Sequence, residues 1–480
     1  MASEPTESFW EREMAEIVEP EIGIDDFPEN PVEGVLYGFQ HTLVDTTPFI
    51  VPLIVAGAAG WSGATVAYVI QATLVFSMIT TVAQTMYGNR LPLVQSASLA
   101  DAGVMATVAG AISVPAMWMG AFIGGIFEAV VGASRVLKYL RTVFTPVVSG
   151  AVIIVIGLSL AQVGMGWIAN SGPGNTIPTA GGRFAFAGLT IALVIVLKFL
   201  GKLRFGGVLS RGALLISLLL VGLVVPAITD AAGLTSNVLN LQPVFDAAWI
   251  GIPTPGRLGL PGLDWPIVGA AVLAISIGYI GSIAESIGDY AATCAVSATT
   301  LDEKKINRGI TVEGLGSAAA TLFGGLPMTS YSQNVGVIAT TRVASRKVVA
   351  IGGIFLGIYG LIPKIGRLIT VIPLAVLGGV FLIITGMIAV SGIRMVAHAE
   401  NKDANFLTAA LTIAVALTLP SLASGSDWVG ALPNGLEVFV TNGIVLAVVF
   451  GIVLSLLMGR IFEPYVSGRM SSASESEASD

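Results

Sequence analysis

Charge is what this chain has least of. Only 11% of its 480 residues are Asp, Glu, Lys or Arg, where a soluble domain carries about a quarter. That excludes an ordinary soluble enzyme. There is one cysteine, Cys294, so an intrachain disulfide framework is excluded. Nothing near it is spaced like a metal set, and it reads as a small packing residue. The two histidines, His41 and His398, are far apart in sequence. No basic run supports nucleic-acid binding, and no motif implies a cofactor. The first 33 residues are acidic and polar, without the basic and apolar regions of a secretory signal. The net charge of −7 lies largely in the two tails and says little about a substrate.

What the chain does have is apolar length: 54% of its residues are hydrophobic. Residues 1–33 and the Ser/Glu-rich end Ser467–Asp480 read as solvated tails, mostly disordered, and both are expected to be dispensable for activity. Between them lie about fourteen runs of the length a bilayer requires. They fall at 34–58, 62–86, 92–108, 113–133, 143–163, 184–200 and 208–227. After a Pro/Gly-rich connection at 228–263 come 265–297, 309–324, 327–341, 348–364, 372–390, 404–423 and 440–461. The runs beginning at Pro92 and Pro327 are too short or too polar for ordinary spanning helices. With both termini inside, eighteen Lys and Arg residues fall on the cytoplasmic side and four (Arg183, Arg257, Lys364, Arg367) on the other. This positive-inside bias predicts a multi-pass protein with cytoplasmic termini.

An internal repeat is visible. Leu91-Pro92 precedes the polar run Gln95–Ser98, and Leu326-Pro327 precedes Ser330–Gln333, an offset of 235. Gly150–Gly157 recurs as Gly379–Gly386, an offset of 229. Seven runs per repeat is an odd number, so the halves are expected to be inverted.

The chain is organised around Leu326–Thr341. Pro327 forbids a continuous helix, a polar stretch follows, and a helix can resume at Val335 with Asn334 as its cap. Unwound backbone at membrane depth is tolerated only where it is buried or lines a cavity, and transporters build substrate sites on such breaks. Glu285 and Asp289, spaced i,i+4, share one helical face. Ionisable groups at that depth usually face a water-filled pathway or a partner. Two carboxylates so close resist being ionised together, which favours H+ over Na+ as coupling ion. Glu128 and Glu313 sit near run ends and basic loops and read as boundary residues. Asp45 and Asp101 fall in apolar surroundings, as cation ligands or as residues facing water at a membrane boundary. His41 stands between a structural hydrogen-bonding role and a proton-carrying one, and His398 reads as surface.

Gly38-Phe39-Gln40-His41, Ala284-Glu285-Ser286-Ile287-Gly288-Asp289-Tyr290 and Pro327–Arg346 together resemble the nucleobase–ascorbate transporter family. This family is also called nucleobase:cation symporter 2, or the xanthine/uracil permease family. Within the last segment, Gln333-Asn334-Val335-Gly336-Val337-Ile338 and Thr341-Arg342 match its signature almost position for position. The resemblance spans roughly 33–463. It implies an α-helical polytopic membrane protein of fourteen segments in two inverted repeats of seven. Spans 1–4 and 8–11 would form a core domain and spans 5–7 and 12–14 a gate domain. Short strands would pair in broken segments three and ten. Applied here, the core takes 34–141 and 264–369, the gate 142–230 and 370–463. An extracellular connection takes 231–263, and tails take 1–33 and 464–480. The resemblance also implies a homodimer in the cell membrane working by an elevator-like motion.

Carried over by position, Glu285 and Gln333 would hydrogen-bond a nucleobase, and backbone N–H groups near Ser332 and Leu99 would complete the site. His41, Asp289 and Asn334 would support it or couple the cation. The chemistry read directly agrees: a carboxylate accepts N–H bonds, a carboxamide both donates and accepts, and Tyr331 offers an aromatic face or a hydroxyl. The family commonly has Gly-Ser-Ser-Phe where this chain has Ser96-Ala97-Ser98-Leu99, so the aromatic wall near Leu99 is absent. Asp101 also falls where the family is usually apolar. Gln333 with Asp289 is the pattern of xanthine and urate carriers. Uracil carriers typically have glutamate at the first position, often histidine at the second. Uracil transport is the alternative, ahead of an anion carrier of the same architecture, which would want a basic residue at the site. A membrane-embedded enzyme would need a nucleophile–base pair or a metal cluster, and the sequence shows neither.

Overall fold

The computed structural model describes residues 19–134, 137, 145–170, 176–200, 208–233, 235, 238–258, 265–397, 399, 403–432, 437–458 and 462. His398 and the C-terminal Ser/Glu-rich segment lie outside the described residues.

The hydrophobic runs are helices with conventional caps. In the first half these are α1 (Pro31–Val44), α2 (Thr47–Ala59), α3 (Gly63–Met86), α4 (Leu99–Ala111), α5 (Val114–Ala133), α6 (Pro146–Ala169), α7 (Ala180–Leu200) and α8 (Ala213–Ala231). In the second half they are α9 (Trp265–Val296), α10 (Glu303–Leu322), α11 (Gln333–Thr341), α12 (Arg346–Gly360), α13 (Pro363–Thr370), α14 (Leu374–Ala397), α15 (Asp403–Ala423) and α16 (Gly443–Leu457). Asn30, Ser62, Ser98, Ser113, Thr145, Asp302, Ser345 and Asn442 each cap a helix with a side-chain oxygen. Among the described residues, nine helices are long and apolar enough to cross a bilayer, counting α1–α2 as one. The pair α12–α13, bent by 77° where Pro363 opens α13, makes a tenth if it is one span.

The two broken runs are strands followed by short helices. β1 (Gln95–Ala97) leads into α4 and β2 (Met328–Ser330) into α11. The strands pair antiparallel, with Gln95 opposite Ser330, Ser96 opposite Thr329 and Ala97 opposite Met328. Ser98 N donates to Pro327 O at 2.8 Å and Tyr331 N to Val94 O at 3.1 Å, which extends the pairing. Two strands leave two outer edges, and at this depth no bulk water can satisfy them. A hydroxyl, which both donates and accepts, closes each edge. Thr81 of α3 accepts from Gln95 N and donates to Gln95 O (2.9 and 3.3 Å). Ser317 of α10 does the same for Met328 (2.9 and 3.1 Å).

Thr81 and Ser317 are 236 residues apart, close to the offset of the sequence repeat. Packing follows the same relation. α3 lies against α12 as α10 lies against α5, and α1 lies against α12 as α9 lies against α5. α6 and α14 pack on each other. These exchanged partnerships are what two inverted repeats produce. Two of the four glycines that mark the repeat, Gly150 and Gly157, are needed at the α6–α14 crossing. A Cβ on Gly392 would lie 2.6 Å from Gly150 O, and one on Gly157 2.6 Å from Thr385 O. Only glycine lets the two backbones come this close.

One expectation fails near the N-terminus. Residues 19–30 are not a loose tail. Glu21 N and Ile22 N donate to Arg342 O, Ala344 N to Ile22 O and Arg346 N to Ile24 O. Glu21 pairs with Arg342 at 2.7 Å, and Asp25 with Arg346 at 2.6 Å and Arg90 at 3.7 Å. The acidic composition that suggested solvation instead matches three arginines, two of which (Arg90, φ 60°; Arg342, φ 59°) adopt the left-handed backbone. The segment straps together the chain ends that follow α3 and α11.

Candidate functional site

The site is built where the two strands hand over to helices. The antiparallel register places the N-termini of α4 and α11 at opposite ends of the small sheet, about 10 Å apart by the rise of a strand. A helix leaves its first N–H groups without internal acceptors, and its dipole makes that end positive. Leu99 opens α4 and is buried. Ser332 precedes α11, and Gln333 is its first residue. Both helices therefore present main-chain donors, from Leu99 and Ala100 on one side and from Ser332 and Gln333 on the other.

α9 passes beside β2 and α11. Its Glu285 is half-buried, and Glu285 Oε2, fully enclosed, has no partner among the described residues. It is an acceptor left unpaired inside the protein. Gln333 is also half-buried, and Ser332 Oγ donates to its Oε1 at 3.3 Å. That bond turns the NH₂ end of the carboxamide away from Ser332.

Asn334, expected to cap α11, is instead its second residue. It is buried, with its Nδ2 donating to His41 Nδ1 at 2.9 Å. A tertiary partner on α1 thereby takes the side chain that local reasoning assigned to capping. His41 is buried as well, and its ring ties α1 to the helix that carries Gln333. The Tyr331 hydroxyl donates to Val44 O at 2.9 Å at the end of α1, so only its ring is uncommitted.

Behind β2, Asp289 joins a line of polar side chains whose connection sequence reasoning missed. Asp289 Oδ2 accepts from Ser330 Oγ at 2.7 Å. Ser330 Oγ lies 3.1 Å from Ser286 Oγ, and Ser286 Oγ donates to Glu313 Oε1 at 2.5 Å. Tyr290 donates to Glu313 Oε2 at 3.0 Å and is itself bonded by Gln84 Nε2 at 2.9 Å. Ser282, Ser286 and Tyr290 recur every fourth residue on α9, a stripe that could have been read from the sequence.

Glu128 and Glu313 are therefore not boundary residues: both are fully buried. Asp45 and Asp101 are fully buried too, which removes the reading that they face water. Asp45 sits in the break between α1 and α2 and accepts from Thr47 at 2.8 Å and Ser96 at 3.1 Å. Asp101, on the first turn of α4, lies against Gly278, where a Cβ would come within 3.0 Å of its Oδ1. Among the described residues no group of three or more His, Cys, Asp or Glu side chains is arranged to hold a metal ion. The structure thus brings Glu285, Asp289, Ser332, Gln333, Asn334 and His41 together around β2 and α11, and sets Leu99 at the facing helix end.

Comparison with known proteins places this architecture. The Xan_ur_permease model, described as Permease family, matches residues 33–424. The uric acid transporter UacT of Escherichia coli K12 is 31% identical over 425 residues, covering 85% of this chain and 82% of its own. The uric acid permease PucK of Bacillus subtilis is 30% identical over 420 residues, covering 86% and 93%. The xanthine permease XanQ of E. coli K12 is 30% identical over 443 residues, covering 87% and 89%. Among solved structures, the transmembrane domain of the cyanobacterial bicarbonate transporter BicA aligns with a TM-score of 0.53. It is 16% identical and covers 91% of this chain and all of that one. SLC26A9 aligns with a TM-score of 0.60 at 13% identity, covering 90% of this chain and 65% of that one. These two share the fold.

Proposed function

The chain belongs to the Xan_ur_permease family of permeases, and from that premise we propose that it imports a purine nucleobase of the xanthine or uric acid type, coupled to a proton. One observation carries the substrate class. A half-buried carboxylate, Glu285, and a half-buried carboxamide, Gln333, flank two helix N-termini that offer main-chain N–H groups. Xanthine alternates N–H donors and C=O acceptors around its edge. Glu285 accepts from ring N–H groups, Gln333 pairs with one N–H/C=O edge, and the amides near Leu99 and Ser332 serve the carbonyls. The relatives that transport uric acid and xanthine support this reading. The bicarbonate and SLC26 proteins share only the fold.

In this reading Asp289 couples the proton, while His41 and Asn334 hold α11 in place. Residues 34–141 and 264–369 form the moving core, and 142–230 and 370–463 the gate. The protein is a homodimer in the cell membrane with both termini in the cytoplasm. Crossing the membrane would then be a displacement of the core past the gate, carrying β1, β2 and the bound base together.

Competition binding to membranes carrying matched amounts of each variant tests the site. Removing one side of a buried hydrogen-bonded pair costs about 1–3 kcal/mol, and about 1.4 kcal/mol is tenfold in affinity. Gln333→Ala is therefore expected to weaken xanthine binding by roughly ten- to a hundredfold. Glu285→Gln is expected to abolish transport. Wild-type affinity in both variants would remove them from the site.

A further inference from the structure

Four oxygens stand in a row behind β2: Asp289 Oδ2, Ser330 Oγ, Ser286 Oγ and Glu313 Oε1, each within hydrogen-bond distance of the next. The row has three links, and each link needs one hydrogen. A hydroxyl supplies one hydrogen and an ionised carboxylate none. With both carboxylates ionised, Ser330 donates to Asp289 and Ser286 donates to Glu313. The Ser330–Ser286 link at 3.1 Å is then left with two oxygens and no hydrogen between them. A single added proton completes the row. Protonated Asp289 donates to Ser330, Ser330 to Ser286 and Ser286 to Glu313, or all three bonds run the other way.

We propose that Asp289, Ser330, Ser286 and Glu313 form a wire that holds one proton and passes it between the substrate side of α9 and the α10 side of the sheet. In one passage the Asp289 O–H bond breaks as a bond forms to Ser330 Oγ. Ser330 releases its own hydrogen to Ser286, and Ser286 releases its hydrogen to Glu313. Asp289 ends ionised, Glu313 ends protonated, and both serines regain a hydroxyl. Tyr290, bonded to the other oxygen of Glu313, fixes the far end. Glu285 on α9 and Glu128 on α5 lie in the field of the row, and Asp101 on α4 lies in the field of those two. They are acidic like its two ends. The inference rests on the proton-coupled transport reading and adds the route.

Ser286 is fully buried behind the strand, and its neighbours in the row are protein groups. Purified wild type, Ser286→Ala and Ser286→Thr are reconstituted into vesicles and given labelled xanthine in two assays. The first reads accumulation driven by an imposed proton gradient. The second reads exchange of external labelled for internal unlabelled xanthine, which needs no net proton movement. Ser286→Ala is expected to keep exchange and lose about tenfold in accumulation ratio, equivalent to about 1.4 kcal/mol of coupling. Ser286→Thr, which keeps the hydroxyl, restores accumulation. Wild-type accumulation in Ser286→Ala overturns the wire while leaving nucleobase transport standing. Loss of exchange along with accumulation overturns it too, because the hydroxyl is then structural. Accumulation that follows a sodium gradient and ignores a proton gradient has the same consequence. A wild type that neither exchanges nor accumulates a purine defeats the transport reading itself.

Discussion

Deleting residues 1–28 is expected to loosen the connection between α11 and α12, whereas deleting only residues 1–18 keeps every bond of the strap. Three main-chain acceptors take backbone N–H groups across it: Arg342 O, shared by Glu21 N and Ile22 N, then Ile22 O for Ala344 N and Ile24 O for Arg346 N. At about 1 kcal/mol net for each acceptor, the strap contributes about 3 kcal/mol. The ion pairs add little to this, because Asp25 and Glu21 are 71% and 64% exposed. About 3 kcal/mol is roughly a hundredfold in the equilibrium for opening the connection. Amide hydrogen exchange reads it directly, since Ala344 N–H and Arg346 N–H are two of the donors. Both are expected to lose about a hundredfold in protection when residues 1–28 are removed. α11 carries Gln333, so KM for xanthine should rise as well, with little change in the amount of protein in the membrane. Equal protection at Ala344 and Arg346 in the two truncations would refute the strap, and with it the statement that this segment is more than a solvated tail.

Other expectations follow from the same contacts. The hydrogen bond from Arg346 holds the Asp25 carboxyl below the ordinary aspartate range. A depressed carboxyl contributes fully above its unfolded value and is lost as pH falls through the folded one. Strap protection measured by hydrogen exchange should therefore be flat from about pH 8 to about pH 5 and decline only slightly below about pH 4, because Asp25 is largely exposed. Gln333→Glu keeps the shape but removes the NH₂ donor, so competition binding should show a larger loss for xanthine than for uracil; equal losses would count against the assigned edge. His41→Ala deprives buried Asn334 of its imidazole partner. It should cost about 1–3 kcal/mol, seen as weaker xanthine binding, and unchanged binding would show that α11 does not depend on α1.

Much of this architecture is legible in the sequence because prolines and hydropathy act locally. Pro92 and Pro327 each open a broken run just ahead of a strand, and the i,i+4 spacing of Glu285 and Asp289 survives into α9 unchanged. What was hidden depends on partners distant in sequence. Glu313 looked peripheral because Lys304, Lys305 and Arg308 precede it. Yet α10 starts at Glu303, and ten residues of helix carry Glu313 about 15 Å further in. Asn334 has the right residue type for a cap, and only its distance from His41 shows that a tertiary bond takes precedence. The strap is hidden for the same reason, since Glu21 finds Arg342 and Asp25 finds Arg346 more than three hundred residues away. The hydroxyls of Ser286 and Ser330 carry no signal alone and acquire meaning only when the sheet brings Asp289 and Glu313 to either side of them.

The most direct test of the proposed purine transport is uptake of labelled xanthine, uric acid, hypoxanthine, adenine, uracil and bicarbonate into cells lacking their own carriers for them. Saturable uptake of xanthine or uric acid is expected, driven by a proton gradient and abolished in Glu285→Gln at matched expression. Uptake of uracil alone, or of bicarbonate with no purine carried, would contradict it.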